Sequence, residues 1–157
     1  MKRILEQLEA YKILTSGKQQ EYYADLLKAI KPVKVVSIYD LFTPDEILLI
    51  KSVIKPRRKH CYKNASLLTT LFPYKVRYVE GKVIPDIEIV VDHAFNKVGD
   101  VYVDITYELG LNMDVANATY SAYAEYNYTE IAEVGDNTGY YGDVYNYYWR
   151  EEHKKTN

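Results

Sequence analysis

The sequence predicts an α+β fold, in which N-terminal helices and a central helix pack on a mostly antiparallel sheet of at least three strands. Three observations predict it. Apolar residues before Pro73 recur at helical spacing, apolar residues after it alternate with a period of two, and Gly or Pro stands at the breaks between segments.

Taken in order, Ile4, Leu8 and Tyr11 share one helix face, and Gly17 ends that segment. Tyr23, Leu26, Leu27 and Ile30 repeat the spacing, with Pro32 as a stop. Val33 to Leu41 is short and β-branched, a weak strand or an extended connector. Thr43-Pro44-Asp45-Glu46 is a helix start: Thr43 caps, Pro44 suits the first turn and Glu46 completes a capping box. Ile47, Ile50 and Ile54 line that helix, and Pro56 ends it. Ala65, Leu68 and Phe72 define the next helix, with Cys61 at or just before its first turn and Pro73 at its close.

From Tyr74 the pattern is that of strands. Tyr74, Val76 and Tyr78 share a face, and Gly81 allows a turn. Ile87, Ile89, Val91, His93 and Phe95 share the face of a second strand, and Val101, Val103 and Ile105 that of a third. Asn96 to Asp100, containing Gly99, reads as the hairpin turn between them. Ala118 to Tyr128 is expected to be a strand, and Thr129 to Val134 a helical turn or more. Gly135 to Gly142 is expected to be a loop, and the polar tail from Glu151 to be frayed.

Length and composition limit the function classes. A chain of 157 residues predicts a single domain, 1–157, large enough to bury a core without covalent staples. The one cysteine, Cys61, excludes an internal disulfide and a multi-cysteine zinc site. Three histidines far apart in sequence argue against zinc, and Asp86, Glu88 and Asp92 read as an exposed sheet face rather than a calcium or magnesium site, so no metal and no cofactor is expected. No run of about 18 apolar residues is present and charges interrupt the N-terminal segment, so neither a membrane partner nor a signal peptide is expected, and cytoplasmic is the default location.

The formal charge of −2 divides into +5 over residues 1–60 and −7 over the remainder. Lys55-Pro56-Arg57-Arg58-Lys59-His60 is a basic run that could touch phosphate, but the acidic balance argues against a dedicated nucleic-acid partner. Tyrosine supplies 18 of the 22 aromatic residues. Nine fall between Tyr120 and Tyr148, where they either replace Phe on half-buried faces or form a recognition surface.

One set of residues carries a chemical expectation. A nucleophilic cysteine attacks as thiolate, which a helix N-terminus and a nearby imidazolium both favour. The base in turn needs a third group to fix its tautomer and orientation. Cys61 at a helix start, His93 on one strand and Asp104 on the next supply these parts. If the 96–100 hairpin is centred between Val98 and Gly99, His93 and Asp104 stand directly opposite on one face. An odd-length loop would separate them to opposite faces. The bland readings are an inert small hydrophobe for Cys61, a satisfied core histidine for His93 and a solvated strand residue for Asp104.

Cys61-Tyr62-Lys63-Asn64-Ala65, Tyr78-Val79-Glu80-Gly81, His93-Ala94-Phe95 and Val103-Asp104-Ile105-Thr106 together resemble the transglutaminase-like superfamily of papain-like fold cysteine enzymes. The likeness covers about residues 59–107. Phe95 stands where a Trp is frequent, Ile105 where a Pro is frequent, and Lys55 where papain-type enzymes carry a glutamine. The resemblance implies a papain/transglutaminase-like fold with Cys61 as nucleophile, His93 as general base and then acid, and Asp104 as the orienting residue. The implied activity is acyl transfer through a Cys61 thioester, as an amide hydrolase, deamidase or transglutaminase-type enzyme on a peptide, protein or other amide substrate. The other expectation is a non-catalytic binding protein of the same fold that uses its tyrosine-rich C-terminal surface.

Overall fold

The computed structural model of the chain describes residues 1–85 and 89–154. Six α-helices and five strands, with three short 3₁₀ or π turns between them, make up the regular elements within them: α1 (Lys2–Leu14), α2 (Gly17–Ala29), β1 (Lys31–Val33), α3 (Pro44–Val53), α4 (Cys61–Leu71), β2 (Val76–Ile84), β3 (Val91–Val98), β4 (Val101–Val103), β5 (Thr119–Tyr126), α5 (Tyr128–Thr138) and α6 (Val144–His153). The chain is α+β, and the five strands form one antiparallel sheet in the order β1-β5-β2-β3-β4. The segment 33–41 is mostly connector. It leaves β1 at one edge of the sheet and bridges to β4 at the other, where Val35 pairs with Tyr102 and the Val36 N–H donates to the Tyr102 carbonyl at 2.8 Å. The sheet therefore curls on itself.

The curl encloses Val79, Val83, Phe95, Tyr102, Val115, Tyr120 and Ala122. On the outer face α4 lies over β2 and β3, with Ala65 against Tyr78 and Ala94 and with α5 and α6 supplying Ile131, Val134 and Val144. α3 packs Ile47, Ile50 and Ile54 against Leu68 and Val76, and α1 and α2 form a hairpin around Ile4, Leu8 and Leu26. The expected capping box of α3 forms, with the Thr43 hydroxyl accepting from the Glu46 N–H and Glu46 accepting from the Thr43 N–H. Among the described residues no helix is long and apolar enough to cross a membrane.

Several expectations are corrected. Gly81 is not a turn residue but lies inside β2, where the register against β5 shifts at Glu80/Gly81. A Cβ there would stand 1.8 Å from the Ser121 carbonyl oxygen, so glycine is required by close backbone approach rather than by chain reversal. The β3–β4 turn is tighter than 96–100. Val98 pairs with Val101, leaving Gly99 and Asp100 as the loop, and Gly99 has φ 61°. Gly135 to Thr138 continue α5, whose capping box at Asn127 and Glu130 the chain encodes, and Gly139 ends it at φ 79°. Tyr74 is fully exposed before β2, and Ile89 is exposed before β3. The tail stays helical to His153. Asp86, Ile87 and Glu88, and the last three residues of the tail, lie outside the described residues.

Candidate active site

Cys61 is the first residue of α4, and no side chain caps that helix start. Its N–H groups and the helix dipole leave partial positive charge beside the sulfur. Two asparagines hold α4 in place. Asn64 Nδ2 donates to the Arg57 carbonyl at 3.0 Å and to Thr106 Oγ1 at 3.0 Å, which ties the helix start to the basic loop and to the turn after β4. Asn96 Nδ2 on β3 donates to the Ala65 carbonyl at 2.9 Å and to Thr69 Oγ1 at 3.1 Å. Both side chains are buried, and all of these bonds except the one to the Arg57 carbonyl are made away from competing water.

His93 on β3 is 3% exposed and Asp104, just beyond β4, is fully buried. His93 Nε2 lies 2.8 Å from Asp104 Oδ2. The pairing is not the direct one expected. The register places Val98 against Val101 and Asn96 against Val103, so Asp104, the next residue, falls level with Phe95 and is diagonal to His93 rather than opposite it. The loop is nonetheless even in length, which keeps both side chains on one face. The Asp104 carboxylate is further held by the Tyr120 hydroxyl at 2.6 Å to Oδ2, and by the Thr106 and Tyr107 N–H groups at 3.1 and 3.2 Å to Oδ1. Burial and the Asp104 charge both push the Tyr120 phenol well above its ordinary range, so it stays protonated and donates.

Tyr107 stacks on the His93 ring with centroids 4.3 Å apart. Burial opposes a charge on that ring, but the Asp104 charge and hydrogen bond, with a further contribution from Cys61, outweigh it and raise His93 to about 10. Since Nε2 is engaged by Asp104, Nδ1 is the nitrogen left for the Cys61 sulfur. His93 and Asp104 are thus in direct contact and enclosed, and half-buried Cys61 lies near enough to contribute to the rise in the His93 pKa.

Residues that pattern reasoning did not single out complete the surroundings. Tyr120 and Tyr107 contact the pair directly, and nothing in their spacing distinguishes them from the other tyrosines. Glu80, buried in β2, accepts from the Val144 N–H at 2.8 Å, from the Tyr145 N–H at 3.0 Å and from the Tyr78 hydroxyl. Burial pushes its pKa up, and these donors counter that rise. Glu80 caps α6 from a strand in the middle of the sheet, a contact that local sequence does not signal. Gly142, at φ 96°, lets the loop before α6 press on Tyr62, because a Cβ there would lie 2.4 Å from the Tyr62 ring. Lys55, Arg57, His60 and Lys63 line a cavity of about 350 Å³ beside Asn64, so the basic run borders the helix that begins with Cys61.

No family model matches the chain, and no curated protein and no solved structure is similar enough to match it.

Proposed function

We propose that the chain is a cysteine-dependent acyl-transfer enzyme with a papain/transglutaminase-like fold, acting through Cys61, His93 and Asp104. One observation carries this reading: a buried imidazole with one nitrogen fixed on a buried carboxylate and the other left for a cysteine at a helix N-terminus. In the reaction the Cys61 sulfur attacks the carbonyl carbon of an amide. The N–H group of Cys61 at the start of α4 supports the oxyanion. Collapse of the tetrahedral adduct breaks the C–N bond, and the protonated His93 gives its Nδ1 proton to the departing amine. Water or a second amine then attacks the thioester carbonyl and loses a proton to His93, and the C–S bond breaks to restore Cys61. Asp104 stays ionised and holds the ring by Nε2–H throughout.

Iodoacetamide alkylation tests this directly. Cys61 should react rapidly at pH 6, and His93→Ala should slow it markedly. A reaction that follows a free thiol near about pH 8.5, unchanged by His93→Ala, overturns the proposal.

The non-catalytic binding reading is favoured by a different observation. Exposed Tyr140 and Tyr141 border a cavity of about 320 Å³ with Ser66, Thr70 and Ile131, on a side of α4 that does not include Cys61. Binding there would survive Cys61→Ser.

A further inference from the structure

We propose that Glu21, Asp25 and His153 form a binding site for one divalent transition-metal ion, which fastens the C-terminal helix α6 to α2. The site lies apart from Cys61, His93 and Asp104 and does not depend on the acyl-transfer reading.

The sequence sets up half of it. Glu21 and Asp25 are one helical turn apart in α2, so both carboxylates leave the same face. The fold delivers the other half, because α6 ends with His153 against that face. His153 Nε2 stands 3.3 Å from Glu21 Oε1 and 3.8 Å from Asp25 Oδ2, and one ligand atom from each of the three residues lies within 4.8 Å of the others. An ion held by nitrogen and oxygen at about 2.0–2.2 Å places neighbouring ligand atoms roughly 3–3.5 Å apart, so only small side-chain adjustments are needed to enclose it.

What separates this cluster from an ordinary surface ion pair is the way its members are oriented. His153 Nδ1 lies 2.8 Å from the Trp149 carbonyl oxygen, which can only accept. Nδ1 therefore carries the proton, and in the neutral ring the Nε2 lone pair points at the two carboxylates. The Trp149 indole N–H donates to Asp25 Oδ2 at 2.9 Å, and the same indole stacks on the His153 ring with centroids 3.8 Å apart. One largely buried residue thus orients two of the three ligands, the outer-contact pattern that metal-binding histidines and carboxylates show. The net charge also fits. Two carboxylates and a neutral imidazole present −2, which a divalent ion balances and a single proton on Nε2 only halves. An open cavity alongside, bordered by Glu152 and Tyr145, leaves room for water or Glu152 to complete the coordination. The imidazole selects a first-row ion such as zinc or nickel over magnesium or calcium, which prefer oxygen alone.

The test uses the full chain carrying Cys61→Ser, so that the thiol cannot take the metal. Calorimetric titration with Zn²⁺ should show one ion per chain, Zn²⁺ should raise the melting temperature, and Co²⁺ should give visible d–d absorption. His153→Gln and Asp25→Asn should each weaken Zn²⁺ binding about ten-fold or more and abolish the Co²⁺ bands. Glu21→Gln, at an exposed position, carries the same test if either of the others fails to fold. Absence of stoichiometric binding, or binding of equal strength in the variants, overturns the proposal and leaves the cluster as an ion pair between helices.

Discussion

His93 and Asp104 meet diagonally across the β3–β4 hairpin, with Nε2 of one 2.8 Å from Oδ2 of the other. The same aspartate oxygen also accepts from the Tyr120 hydroxyl at 2.6 Å. Asp104 is held from β5 and from its own turn as well as from β3.

Asp104 is the main reason that His93 keeps its proton despite burial. Asp104→Asn removes the charge while retaining the size of the side chain. Burial then acts with less opposition, and the His93 pKa should fall well below the wild-type value of about 10. An NMR titration of the ring checks this. An unchanged midpoint would mean that Asp104 does not control the ring.

The same shift makes folding stability depend on pH. The folded-state pKa of His93 is raised from the ordinary 6.5 to about 10, so the folded chain binds the proton more tightly than the unfolded one. The stabilisation is complete below about pH 6.5, declines above it, and is lost as pH rises through about 10. Melting temperatures between pH 6 and 10 should fall in the wild type, with a shallower slope in His93→Gln.

Tyr120→Phe removes one donor from a fully buried carboxylate without opening a large cavity. A hydrogen bond to a charged group contributes about 1.5–3 kcal/mol, and the variant should lose stability in that range by denaturant titration. It should also change the pH dependence of Cys61 alkylation, which a residue with only a packing role would leave unmoved.

Gly81→Ala tests the close approach of β2 and β5. The added methyl group would meet the Ser121 carbonyl, which is backbone and cannot swing aside, so the strands must separate. A loss of about 3 kcal/mol is expected in chemical unfolding. Gly135→Ala, inside α5 with open space around it, serves as the control and should be neutral or mildly stabilising.

Much of the helical half was legible because its signals are local. The α3 capping box, the apolar stripe Ile47, Ile50 and Ile54, and the helix opening at Cys61 depend on residues three or four apart. Gly81 was not legible, because the same residue type serves a chain reversal and a close backbone approach, and only the neighbouring strand decides which. Gly135 misled in the opposite direction: the strong N-terminal cap at Asn127 carries α5 through it. Glu80 shows the limit most plainly. Its ligands, Val144 and Tyr145, lie more than sixty residues away, and no periodicity links a strand carboxylate to a helix that has not yet been placed.

The tyrosines divide the same way. Their number was plain, but their use was not. Tyr22 packs against Tyr145 and Trp149, Tyr126 stacks on Tyr148, and Tyr120 bonds to Asp104, while Tyr140 and Tyr141 stay exposed.

By itself the sequence determined that most of the antiparallel sheet follows a helical half, that Cys61 opens a helix and that His93 lies on a strand, whereas Asp104, expected on the next strand, stands just beyond its end. Spacing encodes such facts because hydrogen bonding and side-chain direction repeat over a few residues. Only the tertiary structure decided that the hairpin register turns a facing pair into a diagonal one, that Tyr120 completes the carboxylate's donors, and that α6 brings His153 to Glu21 and Asp25. Those contacts join residues far apart in the chain, and which of them form is set by how the sheet curls and where the helices pack, not by any local preference.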